Sequence, residues 1–296
     1  MNKPVKQKTK SVVTVTGNPA ALAERPAAGM TPVPDFMKGQ AGDGLEDLGI
    51  GDYALPRVIL IQNVSEELQT YDGLKPGAFF HTLAERDLGT ELPIVLLHVS
   101  KRFVLWNPRE AGGGILARAD DGERWTPPNA EFQVKINKGA KTVTWKTKST
   151  VAESGLADWG TYDPDDPKSQ PAATQVYACA VALPTFPELS PSVVLLQRAA
   201  IKPARNMLGK LKISRAPAYG VNLTMSSFVD TGPSGPFHNF RFTVAGFVED
   251  EAVFKMYQEL HEIFRSKGVQ VRDLEKAQDD APGAADAAAA DQEKKF

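Results

Sequence analysis

The sequence predicts a mainly β or α+β protein, an antiparallel sheet or small barrel with helices packed on it. Two observations carry this. Eight segments between residues 52 and 271 are rich in β-branched and aromatic residues and are separated by Gly, Pro and Asp turn signals. Only two stretches have helical character, so strands dominate and helices are additions to them.

In chain order, Arg57–Gln62 (RVILIQ) and Ala78–Leu83 (AFFHTL) are the first strands, with Pro76-Gly77 turning between them. The long run Leu92–Trp106 (LPIVLLHVSKRFVLW) follows and ends before Gly112-Gly113-Gly114. Thr142–Lys148 (TVTWKTK) lies beyond the turns Asp121-Gly122 and Pro127-Pro128. Residues 155–173 carry four acids and three prolines and read as a long surface excursion. Two further strands are Thr174–Leu183 (TQVYACAVAL) and Ser192–Gln197 (SVVLLQ).

A helix is expected over Arg198–Lys212, where Pro203 must start, kink or end a piece of it. Tyr219–Asp230 and Phe237–Val248 form a strand pair around Gly232-Pro233. In the last helix, Glu251–Lys267, one stripe holds Val253, Phe254, Tyr257, Leu260 and Phe264. Asp250 and Glu251 suit its positive end, Arg265 and Lys267 its negative end, and Gly268 stops it.

The ends differ in composition. Residues 1–51 read as a disordered N-terminal arm, rich in Pro, Gly, Ala and Lys, with Phe36 as its one aromatic residue. Within it, Ser11–Thr16 (SVVTVT) alternates weakly, enough for an edge strand but not enough to predict one. Residues 52–271 form a single domain. Residues 272–296 read as a mobile acidic tail, Ala- and Asp-rich, with a Pro-Gly break and no apolar face to dock.

Several function classes are excluded at this level. No run of 18 apolar residues is present, so no membrane helix is expected, and no secretory signal is visible. A lone cysteine, Cys179, rules out an internal disulfide and reads as a small buried hydrophobe. Four scattered histidines do not make a structural zinc site. Neither GxxxxGK[ST] nor GxSxG occurs, and Gly112–Gly114 reads as a flexible hairpin loop. Asp165–Asp166 reads as a solvated charge run and His261 as a partly buried surface residue. No enzyme activity, cofactor or metal is expected.

The net charge of −2 hides an uneven distribution. No acid lies between Glu131 and Glu153, but Lys135, Lys138, Lys141, Lys146 and Lys148 do. Nor does any lie between Glu188 and Asp230, a stretch holding Arg198, Lys202, Arg205, Lys210, Lys212 and Arg215. Such segregation builds a local positive surface for phosphates. Aromatic residues interleave with these bases. Alternation puts Arg102, Val104 and Trp106 on one strand face and Lys101, Phe103 and Leu105 on the other. Trp145 faces opposite to Lys146 and Lys148, and Arg241 opposite to Phe240 and Phe242. Cations beside rings on a sheet suit single-stranded nucleic acid, where stacking contributes about 1–3 kcal/mol per base. Buried core is the competing reading for the rings, and edge protection for the lysines.

The sequence resembles a family of phage single-stranded-DNA-binding proteins. The resemblance runs from LPRVILIQNVSEEL (Leu55–Leu68) through GLKPGAFFHTL (Gly73–Leu83) to LPIVLLHVSKRFVLWNPREAGGGILA (Leu92–Ala117). It continues in SVVLLQRAAIKPARNMLGKL (Ser192–Leu211) and the segment Tyr219–Gly268. KRF-x-x-W followed by GGG is its most specific piece. Leu105 stands where the family has an acid, and LQRAAIK where it has a Ser/Thr-rich run.

The resemblance implies an OB-like antiparallel barrel that binds single-stranded DNA without catalysis, in replication and recombination, in the cytoplasm of the bacterial host. Phosphate contacts are expected from Lys101, Arg102, Lys146, Lys148, Lys202, Arg205, Lys210, Lys212 and Arg241. Phe103, Trp106 and Trp145 are expected to supply base stacking, with one or two of the three exposed. The acidic tail ending in Phe296 would recruit phage or host replication proteins. Two other classes remain: a phage structural or assembly protein working through protein contacts, and an enzyme of nucleic-acid metabolism.

Overall fold

A computed structural model of the chain describes residue 44 and residues 55–137, 139–232 and 235–269. The expected N-terminal arm (Gly44 aside) and the acidic tail with Phe296 lie outside the described residues.

A 16-residue strand, β4 (Glu91–Trp106), is the spine of the molecule. Before it come β1 (Val58–Leu60), the short helix α1 (Glu67–Thr70), β2 (Phe79–His81) and β3 (Arg86–Asp87). After it follow β5 (Ile115–Ala119), β6 (Glu131–Ile136), β7 (Lys141–Lys146), the short helix α2 (Val151–Ser154), β8 (Ala173–Ala182) and β9 (Ser192–Gln197). The last elements are α3 (Ile201–Ile213), β10 (Val221–Gly232), β11 (Gly235–Phe247) and α4 (Glu251–Lys267). The main antiparallel sheet has the order β11-β10-β4-β8-β9, with β5 also on β4. The first half of β4 pairs with β10 and the second half with β5, while β8 runs along the other edge from Val95 to Leu105. Two smaller sheets, β1-β2-β3 and β6-β7, complete the fold.

Both faces of β4 are covered, which explains its nearly continuous apolar sequence. Leu92, Ile94 and Leu96 face a core shared with Leu223, Met225, Phe240 and Phe242, covered by the small sheet (Val58, Leu60, Phe79) and by Ala204, Met207 and Leu211 of α3. Val95 and Leu97 face the opposite way. There Ala178, Ala180 and Ala182 of β8 leave room for Tyr257 and Phe264 of α4. The far half of β4 feeds a third core: Phe103 and Leu105 pack with Trp125, Val134, Ile136, Val143 and Trp145. Each fully buried large side chain contributes about 1.5–3 kcal/mol of transfer free energy.

Helix ends follow local chemistry. Pro203 is the third residue of α3, in the first turn, where an N–H would have no intrahelical acceptor. For α4, the Asp250 carboxylate accepts from the N–H of Ala252 (2.8 Å) and Val253 (3.1 Å). His261 Nδ1 lies 2.7 Å from the main-chain oxygen of Leu97 and ties α4 to the sheet.

The expected barrel does not form among the described residues. β9 and β11 are the two edges of an open sheet, and no ladder joins them. Residues 56–62 span the gap instead. Val193 N–H donates to Pro56 O at 2.8 Å on the β9 side. On the β11 side, the side chain of Gln62 bonds the main chain of His238. The chain at β1 meets β9 only through the parallel bridge Arg57–Val193, and its ladder is with β2. Gly77 closes this junction. Its φ is +86°, and a Cβ there would sit 2.6 Å from the His238 ring.

Candidate nucleic-acid interface

The KRFVLW motif is mostly core. Lys101 is exposed, but Arg102 is 5 % exposed, Phe103 6 % and Trp106 5 %. Because β4 is central, alternation delivers its two sets of side chains to two cores rather than to a core and solvent. Arg102 is an anchor. It ion-pairs with Asp120 at 3.4 Å, bonds Ser100 Oγ at 3.3 Å and donates to the main-chain oxygen of Val269, beyond α4. Burial lowers its guanidinium pKa, with Asp120 opposing that shift. Trp145 is 1 % exposed, with its ring 5.6 Å from that of Tyr162. The expected stacking platform of Phe103, Trp106 and Trp145 is therefore corrected: all three rings are packed inside. Arg102 likewise has no face open to a phosphate.

On the β6–β7 hairpin, acids distant in sequence neutralise part of the basic run. Lys146 pairs with Glu131 across the hairpin at 2.9 Å. Lys141 bonds both Asp163 and Asp165 of the 155–173 excursion. These bonds raise the Lys141 pKa, and Lys141 lowers that of Asp163. Lys148 is exposed.

The second acid-free stretch keeps its charge. Ala204, Met207 and Leu211 turn the inner face of α3 into the core. Lys202, Arg205, Asn206, Gly209 and Lys212 lie on its exposed side. Lys210 reaches sideways, its Nζ 2.6 Å from the main-chain oxygen of Phe242 on β11. Arg241, on the next residue, holds its guanidinium 4.7 Å from the centre of the Phe228 ring. Among the described residues no carboxylate pairs with Lys202, Arg205, Lys210, Lys212 or Arg241.

A chain of contacts carries this surface onto the sheet. Arg205 Nη2 lies 3.5 Å from Gln175 Oε1, and Gln175 is the cross-strand partner of Phe103. Lys101 sits on the same face, its Nζ 4.9 Å from the centre of the Phe103 ring. Opposite Lys101 is Tyr177, half-buried beside the α3 core. The structure thus joins Lys101 to the α3 cations around Tyr177 and Gln175. Lys146 belongs to the β6–β7 hairpin and Lys148 follows it. Tyr177 was not among the expected site residues. Its signal in the sequence is alternation with Cys179 and Val181 in an otherwise apolar strand.

Cys179 is buried, which pushes its thiol pKa up to about 12. No cluster of three or more potential metal ligands exists among the described residues. No helix among them is long and apolar enough to cross a membrane.

The described fold is an open antiparallel sheet with the cationic helix α3 packed against it; comparison with known families adds that it is a phage protein. The family described as Pam3 phage gp34-like protein matches residues 27–270, most of the chain, and the protein belongs to that family. No curated protein and no solved structure matches it.

Proposed function

We propose that this phage protein binds single-stranded DNA, without catalysis, on the surface formed by α3 and the adjoining face of β4 and β8. The observation that carries the reading is the set of cations Lys202, Arg205, Lys210 and Lys212, which no described acid neutralises, continued by Lys101 across Gln175. These side chains contact phosphates. Tyr177 offers a partly open ring beside them, so base stacking is modest and the phosphate backbone dominates affinity. Arg241 on Phe228 extends the positive strip along β11. The protein acts in the host cytoplasm during phage DNA replication and recombination, with the acidic tail and Phe296 engaging replication proteins.

Fluorescence anisotropy of a labelled oligo-dT across a salt series tests this. Five neutralised phosphates give a slope of log K against log salt near −3.5, at roughly −0.7 per contact for single strands. Duplex DNA of equal length binds more weakly. A slope near zero sinks the proposal. A phage assembly protein is the second reading, favoured by exposed Val229 (61 %), Val244 (43 %) and Phe247 (53 %) on β10 and β11. It predicts a defined oligomer and no salt-sensitive DNA affinity.

A further inference from the structure

The outer edge of β6 is an unpaired strand edge beside a groove. Thr147 N–H donates to Ala130 O, so alternation turns the main-chain groups of Phe132, Val134 and Ile136 toward β7. Those of Glu131, Gln133 and Lys135 point the other way, where no described main-chain group meets them. Along this edge runs a groove of about 500 Å³. Leu116 and Phe132 line it together with the polar side chains of Asn107, Glu110, Gln133 and Lys135. Unpaired donors and acceptors along an edge, with apolar side chains such as Leu116 and Phe132 beside them, are what an added strand requires.

We propose that the N-terminal segment Ser11–Thr16 of this chain (SVVTVT) fills the groove as an extra strand on β6. Three properties select it. Val13 and Val15 fall on one side of the segment and suit Leu116 and Phe132. Thr14 and Thr16 fall on the other side and continue the polar face of Gln133, Thr142 and Thr144, where Gln133 already bonds Thr144. Lys3, Lys6, Lys8 and Lys10 just before the segment suit the Glu110 carboxylate, since Glu131 already pairs with Lys146 and Lys135 also lines the groove. Reach is ample, since the chain from Thr16 to Leu55 spans on the order of 100 Å at about 3.3 Å per residue.

The other long edge, β11, is a poor host for the same segment. Gln62 occupies the main chain of His238, Asn239 Oδ1 accepts from Phe240 N–H, and Lys210 bonds Phe242 O.

Residue-resolved amide hydrogen exchange on the full-length protein tests the proposal, against a chain lacking residues 1–20 and a full-length V13P/V15P variant. The Gln133 and Lys135 amides should exchange at least tenfold more slowly in the full chain than in either variant. Amides of the β6–β7 ladder serve as the folding control and should match in all three. Equal rates at Gln133 and Lys135 in all three chains overturn the proposal. So does protection that moves to the Thr243–Phe247 amides of β11.

Discussion

Gln62 and His238, 176 residues apart, exchange two hydrogen bonds: Gln62 Nε2 donates to His238 O at 3.0 Å, and His238 N–H donates to Gln62 Oε1 at 2.9 Å. A side-chain amide thus takes the place of a strand residue and ties the small sheet to the β11 edge. Truncation to alanine strands a donor and an acceptor in a partly buried junction. We predict that Gln62→Ala lowers the unfolding free energy by about 2 kcal/mol, read from the urea midpoint. Oligonucleotide affinity at temperatures where the variant is folded should be unchanged.

Lys101 and Arg102 are sequence neighbours with separate roles. Arg102→Ala leaves the Val269 carbonyl without its charged donor and should cost about 2–3 kcal/mol of stability with no change in salt slope. Lys101→Glu should leave stability within about 0.5 kcal/mol and make the salt slope shallower by at least about 0.7. Equilibrium unfolding and anisotropy on both variants separate these outcomes.

Trp145 fills its core by shape rather than by polarity. Its indole nitrogen is buried and has no hydrogen-bond partner among the described residues. Trp145→Ala should cost about 3–5 kcal/mol. Trp145→Phe removes the unpaired N–H while keeping a ring, and should cost well under half as much by thermal or urea unfolding. Neither should change the DNA affinity of the folded protein.

Acid should destabilise the fold through its histidines. Burial is the main cause that lowers the pKa of His81, His98 and His238, and His261 and Arg265 push His98 further down. A folded-state pKa below the unfolded value means that the unfolded chain binds more protons as pH falls below about 6.5. Stability is therefore full above that pH and declines beneath it. Unfolding free energies between pH 7.5 and 5.0 should fall steadily, and His98→Gln should flatten part of that decline.

Most strands were legible because their apolar runs are bounded by turn residues. Ser192–Gln197 and Glu251–Lys267 match the structure end to end, and the other predicted strands agree to within a few residues. β5 was missed because ILARA is short and lies beside glycines. β6 was missed although Glu131–Ile136 (EFQVKI) alternates polar and apolar residues, a signal present in the sequence. Whether the sheet closes was not legible, since it depends on how Gln62 meets a strand far along the chain. The candidate site was legible only as a charge pattern. Charge segregation in sequence marks α3 correctly as unneutralised, but Lys141 and Lys146 acquire acids that only folding brings near. Alternation identified the faces of β4 and could not reveal that both are covered, so which of Phe103 and Trp106 faces outward was not legible.

The most direct test compares oligo-dT affinity at low salt for three folded proteins: wild type, K202E/R205E/K212E on α3, and K146E/K148E on the hairpin. The account predicts at least a hundredfold loss for the α3 variant and less than about threefold for the hairpin variant. Equal affinity of the wild type and the α3 variant, or the larger loss falling on the hairpin, would contradict it.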